Sequence, residues 1–157
     1  MDDQPRTTEP YPDTNTRSIY LGSTRLAHEH LVAQSQVVLR LGRILMKSGA
    51  SAYRIKASMA RLAKAVGLKE HHAQVTFTEI STSSYTDGNF RTEVAEQRTM
   101  GINAHKLDQL GKFISELPEK ITPAEANAEL DRIDSAKPLY TRWMLALASA
   151  VACAGFA

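Results

Sequence analysis

Apolar residues return at helical spacing along most of the chain, and the exception lies in its middle. Between about Ser23 and Ser48, Leu31, Val38, Leu41 and Leu45 recur at intervals of 7, 3 and 4, and Val37 and Ile44 widen the stripe. That period marks one face of an amphipathic helix. Gly49 is its predicted end, because glycine takes the left-handed conformation without a Cβ penalty. Ser51 is the predicted cap of a second helix with a clean face of Ala52, Ile55, Met59, Leu62, Ala63 and Val66, closed by Gly67. Two helices joined at Gly49-Ala50 predict an antiparallel hairpin that buries both stripes.

The period then falls to two. Apolar and polar residues alternate through Ala73-Gln74-Val75-Thr76-Phe77-Thr78 and again through Phe90-Arg91-Thr92-Glu93-Val94, as in strands with one buried face. Ile80 to Tyr85, rich in Ser and Thr, reads as strand. Asp87-Gly88 is a hairpin signal, with a loop longer than two residues expected from Thr86 and Asn89 around it. Residues 73–97 are thus predicted to hold two or three antiparallel strands. Helical spacing resumes at Leu107, Leu110, Ile114 and Leu117 and stops at Pro118. Thr122, Pro123 and Glu125 form the best helix start in the chain, ahead of Ala126, Leu130 and Ile133.

The two ends differ from this middle. The first 17 residues are polar, hold three of the six prolines and lack the basic and apolar regions of a secretory signal. Residues 1–22 are therefore expected to be a disordered tail. From Trp143 to Ala157 no charged residue occurs in 15 positions. At 1.5 Å per residue that run covers ~22 Å, short of the ~30 Å hydrocarbon core. It reads either as the beginning of a transmembrane helix (residues 138–157) or as a buried core helix. Lys137 and Arg142 before it favour a cytoplasmic side for residues 1–137 if it enters a membrane. Residues 23–136 are left as one α+β domain: a helical hairpin, a small antiparallel sheet and two further helices.

Composition narrows the function. Of 157 residues, 43% are hydrophobic and 23% charged, as in a globular protein. A net charge of +2 argues against a dedicated nucleic-acid binder. The one cysteine, Cys153, excludes an internal disulfide and a cysteine-built zinc site. No phosphate-binding loop, dinucleotide fingerprint, His-Glu-x-x-His or Gly-x-Ser-x-Gly occurs, so no metal and no cofactor are expected.

The candidate chemistry lies in the hydroxyl-rich strands. Thr76, Thr78, Ser81 and Ser83, with Arg91 and Arg98 from the next strand and its end, are expected to offer hydroxyls and a guanidinium to a small zwitterion. The plainer reading is that Thr and Ser suit an exposed sheet face. His105, at the start of a helix, either contacts a neighbouring strand or makes a helix-start hydrogen bond. His28 and His30 point apart on a helix, and His71-His72 is placed in a solvent-exposed turn.

The ordered set of segments resembles a known family. Leu41-Gly42-Arg43-Ile44-Leu45-Met46-Lys47-Ser48-Gly49-Ala50-Ser51-Ala52-Tyr53-Arg54-Ile55 is similar to the opening of the N-terminal domain of the threonine/serine exporter family. The likeness continues through the Ser/Thr-rich strands, Gly101-Ile102-Asn103-Ala104-His105-Lys106-Leu107 and Ile121-Thr122-Pro123-Ala124-Glu125-Ala126. It runs on to Pro138-Leu139-Tyr140-Thr141-Arg142-Trp143, where the family's first membrane helix begins, and covers roughly residues 31–157. The resemblance implies a cytoplasmic α+β domain ahead of a multi-helix inner-membrane transporter that exports small hydroxy amino acids. The implied partners are the remaining membrane domain and the lipid bilayer, the latter through Trp143–Ala157. Ser51 and Lys56 stand where family members often carry acidic residues, which weakens a hydrolase reading. With less than one span, the chain is expected to be a fragment or one part of a split protein that does not transport alone. The rival readings are a hydrolase-like domain acting on a small amide or peptide and a membrane-anchored interaction domain.

Overall fold

Helix α1 (Thr14–Lys47) carries the long apolar stripe and ends in paired backbone bonds. Gly49 N donates to Met46 O at 3.0 Å and Ala50 N to Leu45 O at 3.0 Å, with Gly49 at φ +88°. This is the left-handed helix stop that only glycine enters without strain. The computed structural model describes residues 14–99, 101–136 and 151. The α1 helix includes residues 14–22, which the sequence assigns to a disordered tail. Pro12 is the last proline before it, and beyond that point each added residue gains a helical hydrogen bond.

Ser51 caps α2 (Ala52–Ala65), its side chain accepting from Arg54 N. The α1 and α2 stripes close on each other: Leu41, Leu45, Ile55, Met59 and Leu62 are all at most 1% exposed. Gly42 sits where the two helices and the sheet meet. A Cβ there would lie 2.5 Å from Met59 Sδ and 3.2 Å from Ile80 Cδ1, so any larger residue would force the Met59 side chain to move.

Three strands follow, β1 (Glu70–Val75), β2 (Glu79–Thr86) and β3 (Asn89–Glu96), in the order β1-β2-β3 with both pairs antiparallel. Two expectations are corrected here. His71 and His72 belong to β1, not to a turn, because both pair with β2 across from Ser84 and Ser83. Asp87-Gly88 is a two-residue turn closed by the Thr86–Asn89 pair, with positive φ at both residues. Paired positive φ values suit the right-handed twist of a tight hairpin.

Ile80, Thr82, Ser84 and Thr86 of β2 face inward and are buried. The β2 and β3 strands pack on α1, and β1 packs on α2. Asn103 caps α3 (Ala104–Ser115), and, as the sequence predicts for this second pair alone, Thr122 and Glu125 cap α4 (Pro123–Ser135) reciprocally. The α4 helix lies on α1, held by Arg40 to Asp131 and by Arg40 Nη1 to Asn127 Oδ1 at 2.9 Å. The architecture is α+β, four helices with a three-stranded antiparallel sheet. Among the described residues no helix is long and apolar enough to cross a membrane. The predicted membrane segment lies outside the described residues except for Val151.

Candidate functional site

The register of β1 on β2 decides which hydroxyls face where. His72 opposes Ser83 and Gln74 opposes Ser81 on the outer face, while His71 opposes Ser84 and Ala73 opposes Thr82 on the inner one. At the β1 edge a cleft of about 570 Å³ opens between strand and helix. It is lined by Lys56 and Ala60 of α2, by the run His71 to Gln74 of β1, and by Ser81 and Ser83 of β2. Its charged lining side chain is Lys56, and its lining residues include no carboxylate. Ser83 Oγ lies 3.1 Å from Thr92 Oγ1 of β3, so the hydroxyl row continues across the outer face.

Behind this cleft runs a polar layer that sequence reasoning missed. On the inner face His71 Nδ1 lies 3.1 Å from Ser84 Oγ. Burial, reinforced by the neighbouring His72, holds the His71 imidazole below the usual histidine range. Arg91 and Glu93 share the same face two residues apart, with Nη2 to Oε1 at 2.8 Å. The Arg91 guanidinium is raised chiefly by that hydrogen bond. His71 Nε2, Arg91 Nε and Glu93 Oε2 are buried without a partner. Period-two alternation announces two faces, but a strand of Ser and Thr on both sides carries no signal of which is inner.

The remaining predicted residues are dispersed. Thr76 closes the β1–β2 turn, its Oγ1 accepting from Glu79 N at 3.1 Å, and Thr78 O accepts from Gln97 N at 2.7 Å. Both threonines are exposed. Arg91 points inward and does not join Ser81 and Ser83. Arg98 lies past β3, exposed and paired with Glu96 at 3.1 Å. His105 lines a separate cleft of about 540 Å³ formed by α3, α4 and the loop between them, with no strand residue in its wall. Among the described residues, Ser81 and Ser83 of the predicted set come together in the β1-edge cleft, and His105 lies apart from them. Among the described residues no group of three or more His, Cys, Asp or Glu side chains is placed to hold a metal ion.

Residues 36–157, more than three-quarters of the chain, match a family model described as "Putative threonine/serine exporter". No curated protein and no solved structure matches the chain. The match begins inside α1 and spans the hairpin, the sheet, the two capped helices and the apolar C-terminal run. The segments that carry the resemblance thus fall within one matched region, and the chain belongs to the threonine/serine exporter family, with the membrane transport of amino acids that this family name denotes.

Proposed function

We propose that this chain is the cytoplasmic N-terminal module of a threonine/serine exporter-like inner-membrane transporter, and that the β1-edge cleft is where the module meets its amino acid. Trp143–Ala157 begins the first membrane helix, residues 1–137 stay cytoplasmic, and transport requires the remaining membrane domain. The observation that carries the binding reading is the company Ser81 and Ser83 keep: a lysine, two histidines and a glutamine in one cleft. A zwitterionic hydroxy amino acid needs a cation for its carboxylate and acceptors for its ammonium. Lys56 Nζ supplies the first, and the hydroxyl oxygens of Ser81 and Ser83 with Gln74 Oε1 supply the second. The substrate class comes from the family, and the complementary lining comes from this chain.

Lys56 is exposed, so its ion pair with a carboxylate contributes little, commonly ~0–1 kcal/mol. Affinity is then on the order of millimolar, about −4 kcal/mol. The hydrolase reading has less support, since the serine within reach of a histidine, Ser84, is 1% exposed beneath the sheet. A nucleophile there has no path to a substrate carbonyl.

Threonine titrated into the isotope-labelled chain in detergent micelles tests the proposal. Amide shifts should cluster on residues 71–83 and vanish in Lys56→Ala. Silence at concentrations on the order of tens of millimolar, well above the expected Kd, removes the cleft from the transport cycle.

A further inference from the structure

The helix and strand ends divide the domain into two poles of different character. One pole gathers the end of α1, the start of α2, the β1–β2 turn, the loop after β3 and the end of α4. Backbone bonds tie these pieces together: Gly101 N donates to Lys47 O at 3.0 Å and Asn103 N to Ser48 O at 3.1 Å. Gln97 N donates to Thr78 O at 2.7 Å, and Lys106 Nζ donates to Asp134 O at 3.0 Å and to Asp134 Oδ1 at 2.6 Å. Three large apolar side chains stand in solvent here, Tyr53 at 85%, Phe77 at 77% and Ile102 at 92% exposure. Each belongs to a different piece of the pole, so their exposure is not one loop's accident. The opposite pole holds the Asp87-Gly88 turn, the Lys69–Asp87 ion pair and the polar loop with Glu119 and Lys120; its exposed large apolar side chains, Phe90 at 66% and Tyr85 at 38%, stand side by side next to that turn rather than on separate pieces.

We infer that the first pole is a membrane-docking face, seated on the lipid surface with Tyr53, Phe77 and Ile102 in the headgroup–acyl boundary. The inference rests on the proposed membrane reading of Trp143–Ala157. Its occupant is chosen by where the chain goes next: α4 ends at Ser135 on this pole, and Trp143 follows Ala136 by seven residues. At 3.3–3.6 Å per residue that connection reaches about 25 Å at most, so the end of α4 stays within that distance of the bilayer. The charges agree. Arg43 and Lys47, exposed near the end of α1, make no ion pair among the described residues, whereas of the acidic residues here Glu96 and Asp134 are paired with Arg98 and Lys106 and only the partly exposed Glu79 is left against the two cations. Apolar wedges beside unpaired cations suit an anionic lipid surface.

Brominated-lipid quenching of single-tryptophan chains in anionic vesicles tests this. Trp143 of the unaltered chain reports the membrane segment. Trp143→Phe combined with Ile102→Trp reports the docking face. Trp143→Phe combined with Glu119→Trp reports the far pole, about 18 Å along α3 from Asn103. A side chain seated 5–10 Å into the boundary should lose about half its emission, as should Trp143, while the Glu119→Trp chain stays unquenched. Quenching of Trp143 with the Ile102→Trp chain as bright as the Glu119→Trp chain overturns the docking face alone. Absence of quenching at Trp143 overturns the membrane reading and the docking face together. Arg43→Glu with Lys47→Glu should reduce quenching in the Ile102→Trp chain, and an unchanged value overturns the electrostatic part.

Discussion

The seam between α1 and α2 is buried and the underside of the sheet partly so, yet they are built from opposite materials. The seam is aliphatic, with Leu41, Leu45, Ile55, Met59 and Leu62 interlocked and Gly42 letting the backbones close. The underside places His71, Thr82, Ser84, Arg91 and Glu93 over α1 and α2. Burial of apolar surface stabilises the first in proportion to area and fit. The second gains only where each polar group finds a partner, and three of its atoms do not. The seam should therefore respond to lost volume, and the underside to lost charge balance and to pH.

The sharpest contrast is expected from truncating the seam. Leu45→Ala or Ile55→Ala should each cost ~2–5 kcal/mol, since both are 1% exposed and leave a cavity. Urea unfolding followed by circular dichroism measures it, and a loss below about 0.5 kcal/mol would assign the residue to the surface.

On the underside, Arg91→Ala leaves Glu93, 14% exposed in its side chain, without its cation. A loss of about 1–3 kcal/mol is expected, intermediate because Arg91 itself is 27% exposed. Replacing both, Arg91→Met with Glu93→Leu, should recover most of it, because an apolar pair leaves no orphan charge. A double variant as unstable as the single one would show that shape, not charge, governs this layer.

The smallest effect is a slope. The His71 imidazole is held below the ordinary histidine range by burial, so on acidification the unfolded chain takes up the proton first. The stabilisation is complete above about pH 6.5 and is lost as the pH falls from there through the folded value. His71→Gln should flatten the dependence of the urea midpoint below about pH 6.5, and an unchanged slope would assign the dependence to other groups.

Local chemistry made much of this fold legible. Gly49, the Ser51 cap and the Thr122–Glu125 box stand where their residue types predict, because each acts through neighbours within five positions in the chain. The helical stripes were equally readable, since an apolar face at a period of 3.6 has one way to be buried. The candidate site was not. Thr82 and Ser84 differ from Ser81 and Ser83 only in which face the register turns toward the helices. His71 becomes a half-buried group on the inner face, rather than a turn residue, only because β1 starts at Glu70 and pairs with β2. Arg91 is drawn from the hydroxyl row by Glu93 on the inner face. Apolar contrast informs the sequence about burial, and a strand of Ser and Thr has almost none. Its sidedness was decided by strand pairing and by the helices that cover one face, interactions between residues distant in the chain.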